Sequence, residues 1–444
     1  MHPTRTFTFS CLALLVLAAL SGQAFAGSTA VGLCAAPGTH YTTIQAAVTA
    51  AEALTPPSTV RVCPGTYNEQ VVITAPLTLE GIQSTTPPPT QDAAVISAAA
   101  GVSANTTDVC PAQFSAFCTN GTPIAAQVLV ENTAGVSISN LTVDGLGNGL
   151  PVCSSTDLMG ILFQNASGTV NHVAVRNQVT GDTVNGCQAG KGIYVESNPG
   201  TSTVTVENSS VHNYSKNGIT GRYPGTTLTA TGNYVQGSGV QPAGDAQNGI
   251  ELAFGARGTI KSNTVIDNLW WCPAPSCLVN PSTASDILLY DAESDVSNTV
   301  NNNILGNSQI PIALETDTPG TYGDGVYVED NRIFGTGALD AIDLCTNGNV
   351  VTGNTIFNSA ESGVHLDAGC GATGNSNKVT GNTILESACA GILADSGTSG
   401  NTTAPDTYYT VPFTITSSIA SCTIPEFGGA VVRAGAKRKF SPAP

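Results

Sequence analysis

The sequence predicts an all-β solenoid, a coil of short stacked strands, and two recurring phrases carry that prediction. The first is centred on Asn and returns nine times: SNLTV at 139–143, VNHVAV at 170–175, ENSSV at 207–211, GNYV at 232–235, SNTVI at 262–266, NNNIL at 301–305, DNRIF at 330–334, GNTIF at 353–357 and GNTIL at 381–385. Its steps run from 23 to 40 residues. A period of that length, filled with β-branched runs and Gly/Asn turns, marks a repeat array. The second phrase follows most copies of the first: GILFQ at 160–164, GIYVE at 192–196, GITGR at 218–222, GIELA at 249–253, DILLYD at 286–291, PIALE at 311–315, AIDLC at 341–345, GVHLD at 363–367 and GILAD at 391–395.

Alternation along a strand sends the Ile/Val and Leu/Val of each second phrase to one side and the residues between and after them to the other. Stacking then produces a buried aliphatic column and two exterior columns. The first exterior column reads Leu162, Tyr194, Thr220, Glu251, Leu288, Ala313, Asp343, His365, Leu393; the second reads Gln164, Glu196, Arg222, Ala253, Tyr290, Glu315, Cys345, Asp367, Asp395. At about 4.8 Å per rung, nine copies make a rod roughly 40 Å long, with stacked turn Asn residues pairing their amides.

Residues 1–26 read as a secretory signal: Arg5, an apolar run from Cys11 to Leu20, and Ala24-Phe25-Ala26 as the cleavage site, so that Gly27 begins the mature chain. No later apolar run reaches the length of a bilayer span. A secreted protein, extracellular or periplasmic, is expected. Twelve cysteines remain, an even number that argues for disulfides. Sequence neighbours suggest Cys34 with Cys63, Cys110 with Cys118, Cys153 with Cys187, Cys272 with Cys277, Cys345 with Cys370 and Cys389 with Cys422. Zinc is disfavoured, because no CxxC pair with a nearby His occurs.

The chain carries 31 Asp and Glu against 14 Lys and Arg, and four of those bases lie in the tail (Arg433, Lys437, Arg438, Lys439). Such a surface repels nucleic acid and anionic membranes. It also repels a polyuronate unless Ca²⁺ bridges the two. Acidity that simply keeps a long coil soluble explains the same excess.

Tyr41 to Leu54 predicts a short amphipathic helix, with Thr42 and Gln45 spaced as a capping box, Ile44, Ala47, Val48, Ala51 and Leu54 on one face, and Pro56-Pro57 as the stop. A helix across the open end of a coil covers an exposed strand edge. Strand signals follow at Val60–Val62, Gln70–Ile73 and Leu77–Leu79, joined by the turn Pro64-Gly65-Thr66-Tyr67. Excursions are expected at 83–127, which holds the Cys110–Cys118 loop, and around NLWWCPAPSC at 268–277. The repeat is expected to stop near Asn401; Tyr408–Thr416 reads as a strand that covers the C-terminal end, and the tail after Gly435 as a solvated basic run.

The block TIQAAVTAA, VRVCPGTYNEQVVIT and LTLEGI, with the Asn/Gly-rich rungs after it, resembles right-handed parallel β-helix proteins of the pectin-lyase-like superfamily, pectinesterases in particular. The resemblance covers about residues 30–400. It implies a single-stranded right-handed parallel β-helix with a short N-terminal capping α-helix over residues 27–400, a cap and tail over 401–444, and a carbohydrate partner. It does not carry over an activity, because one β-helix hosts many chemistries. The Asp-Phe-x-Phe-Gly strand of pectinesterases does not occur, nor do the adjacent aspartates and Arg-x-Lys of polygalacturonases.

The candidate catalytic residues are Glu315, Asp343, His365, Asp367 and Asp395, which the columns bring to neighbouring rungs. Asp343 and Asp367 are spaced for an acid and a base in glycoside hydrolysis, with His365 orienting a carboxylate or holding its proton. Asp367 and Asp395, in one column, are close enough to share a proton or a Ca²⁺. A solvated acidic ladder explains these residues equally. Glu196, Arg222 and Glu251, with Tyr194, resemble loosely the base and carboxylates of a Ca²⁺-dependent lyase, or a cross-strand ion pair. Trp270, Trp271 and Tyr290 are candidates for sugar stacking. Two functions follow: a polysaccharide hydrolase, or a non-catalytic glycan-binding, adhesin-like module. The expected partner is a polysaccharide or cell-surface glycan, the expected state a monomer, and no cofactor is required beyond that conditional Ca²⁺. Everything depends on register, because a slip of one residue turns Asp343 and His365 inward.

Overall fold

In the computed structural model the described residues are 27–418, apart from 35–38, 55, 84–92, 183–186, 243–245, 272–282, 295–297, 336–338 and 372. The proposed signal, the Pro/Thr-rich stretch, Cys272, Cys277, Cys422 and the basic tail lie outside them. Within them the chain winds through three all-parallel sheets in turn: sheet A of 13 strands, sheet B of 12 and sheet C of 13. One coil reads Arg332–Phe334 in sheet B, Ile342–Leu344 in sheet C and Val350–Thr352 in sheet A; Thr355–Phe357 then opens the next coil on top of the first. A single antiparallel strand, Thr106–Thr107, pairs outside this pattern.

The aliphatic columns face inward as alternation requires. In sheet C Ile193, Ile219, Ile250, Ile287, Ile312, Ile342, Val364 and Ile392 stack in register, all buried in one continuous core. Burying β-branched side chains on every rung removes apolar surface from water along the whole axis.

The Asn ladder is present at six of the nine phrase positions and shifts frame at the first three. Asn233, Asn263, Asn303, Asn331, Asn354 and Asn382 form it: each Oδ1 accepts from the backbone N–H and the side-chain Nδ2 of the preceding member at 2.9–3.0 Å. Asn140 and Asn208 belong instead to the residue before, where φ is positive (56° and 49°), and Asn171 ends a sheet A strand. Asn and Gly tolerate that left-handed conformation, so the same residue type serves two adjacent columns. The ladder ends at Asp406, whose Oδ1 accepts from both Asn382 donors.

The helix α1 (Ile44–Glu52) is capped by Thr43, whose side chain accepts from Ala46 N, and not by the Thr42–Gln45 box. Glu69 supplies the second cap, taking the Ile44 and Gln45 amides on its two carboxylate oxygens at 2.8 and 2.9 Å. Gln45 is thereby free to bind both polar groups of Val72, which fixes the helix on the first coil. Ile44, Ala47, Val48 and Ala51 are buried, while Leu54 stays exposed. The expected turn at Pro64–Tyr67 is largely a strand, Gly65–Asn68, the first of sheet B.

At the far end the coil continues past Asn401. Thr407–Tyr409 and Phe413–Thr416 add one more rung to sheets B and C, so the segment expected to cover the end extends it. Disulfides join Cys34–Cys63, Cys110–Cys118, Cys153–Cys187 and Cys345–Cys370, as the sequence suggested, and Cys389 is also disulfide-bonded.

Ala in place of Asn331 strands the Asn303 backbone N–H and removes the side-chain donor to the Val300 carbonyl, while Asn354 Oδ1 keeps the Asn331 N–H. We expect Asn331→Ala to cost about 2 kcal/mol and to lower the melting temperature in calorimetry. Asn208→Gly, at the left-handed position, should leave it within about 0.5 kcal/mol.

Candidate functional site

Sheet C pairs Leu162, Tyr194, Thr220, Glu251, Leu288, Ala313, Asp343, His365 and Leu393 rung by rung, and Gln164, Glu196, Arg222, Ala253, Tyr290 and Glu315 beside them. Both columns point away from the coil's core in the expected register. They are nevertheless buried, with Tyr194, Thr220, Glu251, Arg222 and Asp343 at 0% exposure. The excursion after residue 98 folds back over this face. Phe114 and Phe117, on the loop closed by Cys110–Cys118, pack on Tyr223, Phe254, Leu288, Tyr290, Ala313 and Leu339.

At the C-terminal coils one imidazole is ringed by four carboxylates. His365 Nδ1 lies 3.2 Å from Asp340 Oδ2, 3.8 Å from Asp343 Oδ1 and 4.0 Å from Asp367 Oδ2; Nε2 lies 3.2 Å from Asp395 Oδ1. Burial opposes a charge on this ring. The charge and hydrogen bond of Asp340, the hydrogen bond of Asp395 and the charge of Asp343 outweigh it and hold the His365 pKa well above the usual histidine value. In return, its hydrogen bond with His365 holds Asp395 below the ordinary carboxylate range, helped by the Ala368 amide and a hydrogen bond with Asp367. The His365, Asp367 and Asp395 ligand atoms lie within 4.8 Å of one another.

Access to this group is graded. Asp340 and Asp343 are fully buried, His365 and Asp367 nearly so, and the Asp395 side chain is 35% exposed. Asp343 therefore backs the imidazole and does not face solvent, a correction to its expected role as an exposed acid. Asp340 replaces it as the closest partner of Nδ1, and the second phrase hid it. The residue just before each copy forms a third column in sheet C, with Lys191, Asn217, Asn248 and Ser285 in register. Asp340 holds that position in its coil, accepting from Ser362 N and Oγ of the next. Reading each phrase one residue earlier finds it.

The loop 368–371 completes the mouth. Gly369 N donates to Asp367 Oδ1 and Ala368 N to Asp395 Oδ2, and the Cys345–Cys370 bridge ties the loop to sheet C. Glu315 is set apart from the cluster by that bridge: it is buried with Oε2 3.1 Å from Cys370 Sγ. Two trios, His365–Asp367–Asp395 and Asp340–Asp343–His365, have spacing short enough for a shared cation.

The Arg222 group is a closed network and not an open binding face. Arg222 donates to Tyr194 Oη at 2.9 Å, and its guanidinium lies over the Phe254 and Tyr223 rings at 4.6 and 5.0 Å. Lys191 pairs with Asp157, Gln164 donates to Glu196 at 2.7 Å, and Asn217 and Asn248 donate to Glu251. The covering loop contributes Asp108, which accepts from Tyr223 Oη at 2.8 Å. Burial, then the Asp108 charge, pushes the Glu196 carboxyl up to about 8. The expectation that Arg222 and Glu251 meet substrate is thus corrected, because the loop seals them, its Asp108 lying 115 residues before Tyr223.

Tyr290 is likewise buried, its hydroxyl donating to Asp317 Oδ2. Trp270, next to last in the sheet B strand Thr264–Trp271, is buried against Ala246 and Ala284, so it offers no stacking face; the Trp271 side chain and the Cys272–Cys277 clip lie outside the described residues.

Two pH effects follow. His365 is expected to keep its proton through neutrality, so its ring-proton NMR shifts should stay constant from about pH 6 to about pH 8. Glu196 holds a proton in the folded chain that an unfolded glutamate releases near pH 4.3, so its contribution to stability falls as pH rises from about 4.5 through about 8. Glu196→Gln should flatten that part of the curve of melting temperature against pH.

No protein-family model matches the sequence, and no curated protein matches it. Solved structures do. A lacto-N-biosidase of glycoside hydrolase family 136 from Eubacterium ramulus superposes with a TM-score of 0.54 and 11% identity, over 88% of this chain and 68% of that one. The A-module of the mannuronan C-5 epimerase AlgE4 from Azotobacter vinelandii gives 0.48 and 15%, over 84% and 92%. The surface protein and adhesin PfbA of Streptococcus pneumoniae gives 0.40 and 13%, over 84% and 94%. At these identities the likeness is one of fold. With its three continuous parallel sheets, the chain is a right-handed parallel β-helix.

Proposed function

We propose that this chain is a secreted glycoside hydrolase acting at the mouth of the His365 cluster, with Asp367 and Asp395 as its catalytic pair. The observation that carries the reading is the placement of Asp367 and Asp395 around one imidazole, with ligand atoms of all three within 4.8 Å of one another and exposure graded from buried to half-open. In this reading the more buried Asp367 serves as the acid and Asp395, held ionised by its hydrogen bond with His365, as the carboxylate beside it. Carbohydrate-active proteins among those of similar fold, the lacto-N-biosidase included, agree with it. Four disulfides suit an oxidising, exported setting.

In this reading Asp367 gives its proton to the glycosidic oxygen as the C–O bond breaks. Asp395, kept ionised by His365, attacks the anomeric carbon. Water, deprotonated by Asp367, then releases the sugar as a new reducing end. Carboxyl oxygens no more than 4.8 Å apart fall short of the about 6.5–9.5 Å of inverting enzymes, so retention of configuration is the expected outcome. Asp340 and Asp343 position the ring, and Cys345–Cys370 positions the loop whose amides hold both carboxylates.

A second reading, a glycan-binding β-helix without turnover, is favoured by the burial of Asp340, Asp343 and His365, which suits a structural ion cluster. Incubation with a panel of neutral and acidic polysaccharides separates the two. New reducing ends that fall at least about 100-fold in Asp367→Asn and in Asp395→Asn, with unchanged melting behaviour, support the hydrolase. Undiminished activity in both variants overturns this site, and silence of the wild type across the panel favours the binding module.

A further inference from the structure

We infer that the outer face of sheet B, on the coils that carry the His365 cluster, is a docking surface for a neutral polysaccharide chain. The inference rests on the glycan reading for its ligand class and on a separate face of the coil for its residues. One outward column of sheet B runs the length of the rod. In its first half it is polar: Ser97, Asp144, Arg176, His212 and Gln236 stand in register. In its last coils the same column becomes Phe334, Phe357, Leu385 and Tyr409. Phe334, Phe357 and Tyr409 are 46%, 38% and 55% exposed, and Leu385 is half-buried. A water-facing strand position is ordinarily polar, so four consecutive large apolar side chains mark a surface with an occupant.

Placement and chemistry identify that occupant. The strands Arg332–Phe334, Thr355–Phe357 and Thr383–Leu385 lead directly into the sheet C stretches that bear Asp343, His365 and Asp395. The apolar column and the carboxylate cluster therefore share three coils, on adjacent faces. Beside the apolar column runs a second outward one, Arg332, Thr355, Thr383 and Thr407. Aromatic and leucine side chains accept the C–H faces of sugar rings, and a row of hydroxyls beside them meets sugar hydroxyls. A lipid surface leaves that second row of hydroxyls unpaired. A polyanion is opposed by the net charge of −17, with Arg332 the one base in the two columns over these coils. Three rung steps span roughly 14 Å, enough for a short run of sugars along the axis.

Affinity electrophoresis of the mature protein through gels containing laminarin, xylan or galactomannan tests this. Retardation in at least one gel is expected, with the apparent dissociation constant raised at least tenfold in the Phe334→Ser/Phe357→Ser variant and raised also in Tyr409→Ala. All three substitutions lie at exposed positions, and circular dichroism melting controls for folding. Asp367→Asn should be retarded like the wild type, which separates this surface from the reaction: retardation that depends on the phenylalanines stands even where no hydrolysis is found. Equal retardation of wild type and double variant, or no retardation in any gel, overturns the inference. Sedimentation velocity showing a dimer that the double variant dissociates, without a polysaccharide effect, assigns the face to a second copy and overturns it too.

Discussion

Parallel strand pairing at a fixed rung spacing is the constraint on which everything else here depends. Each coil contributes one strand to each sheet, so a side chain's neighbours are set by its position in the coil above and the coil below. Columns are the unit of this structure. An inward column of Ile and Val is a core, and a turn column of Asn is a hydrogen-bond ladder whose every member satisfies the next. An outward column is a place where residues far apart in sequence meet. Asp340, Asp343, His365, Asp367 and Asp395 come from three successive coils, and no local motif joins them.

What those outward columns become depends on what lies over them. The loop that carries Phe114 and Phe117 seals the middle of sheet C. Beneath it, ionisable groups survive only by pairing: Lys191 with Asp157, Arg222 with Tyr194 and two aromatic faces, Glu196 with a retained proton. Buried charge that is fully engaged in this way fixes structure and is withdrawn from chemistry. At the C-terminal coils the cover thins. There the carboxylates run from buried Asp340 to half-open Asp395, and an imidazolium held protonated by Asp340, Asp395 and Asp343 keeps the outermost of them ionised. The same column thus hosts a closed network at one end and a partly open carboxylate cluster at the other.

The architecture and the column register were legible in the sequence because both rest on period-two alternation, which a one-residue slip would have inverted; Asp343 and His365 do pair as rung neighbours. The helix was legible by its apolar face, but not its cap, since Glu69 reaches Ile44 and Gln45 across 25 and 24 residues. The Asn frame was misread at Asn140, Asn171 and Asn208 because Asn suits both the ladder and the left-handed position beside it. Asp340 was missed because it sits one residue before the phrase, and Asp108 because nothing in a loop sequence says which rung it will cover.

By itself the sequence determined what repeats, the coil with its inward and outward columns, because stacking converts a one-dimensional period directly into contacts; neighbouring cysteines along the chain gave four of the pairings. Exposure was decided only by the tertiary structure. Whether Arg222, Glu251, Tyr290 and Trp270 face a ligand or a loop depends on where a non-repeating excursion lies down, and that is settled by apolar packing between segments with no periodic relation. The setting of Asp367 and Asp395 is of the same kind: their graded exposure beside a buried imidazole is a property of the assembled surface that no single rung carries.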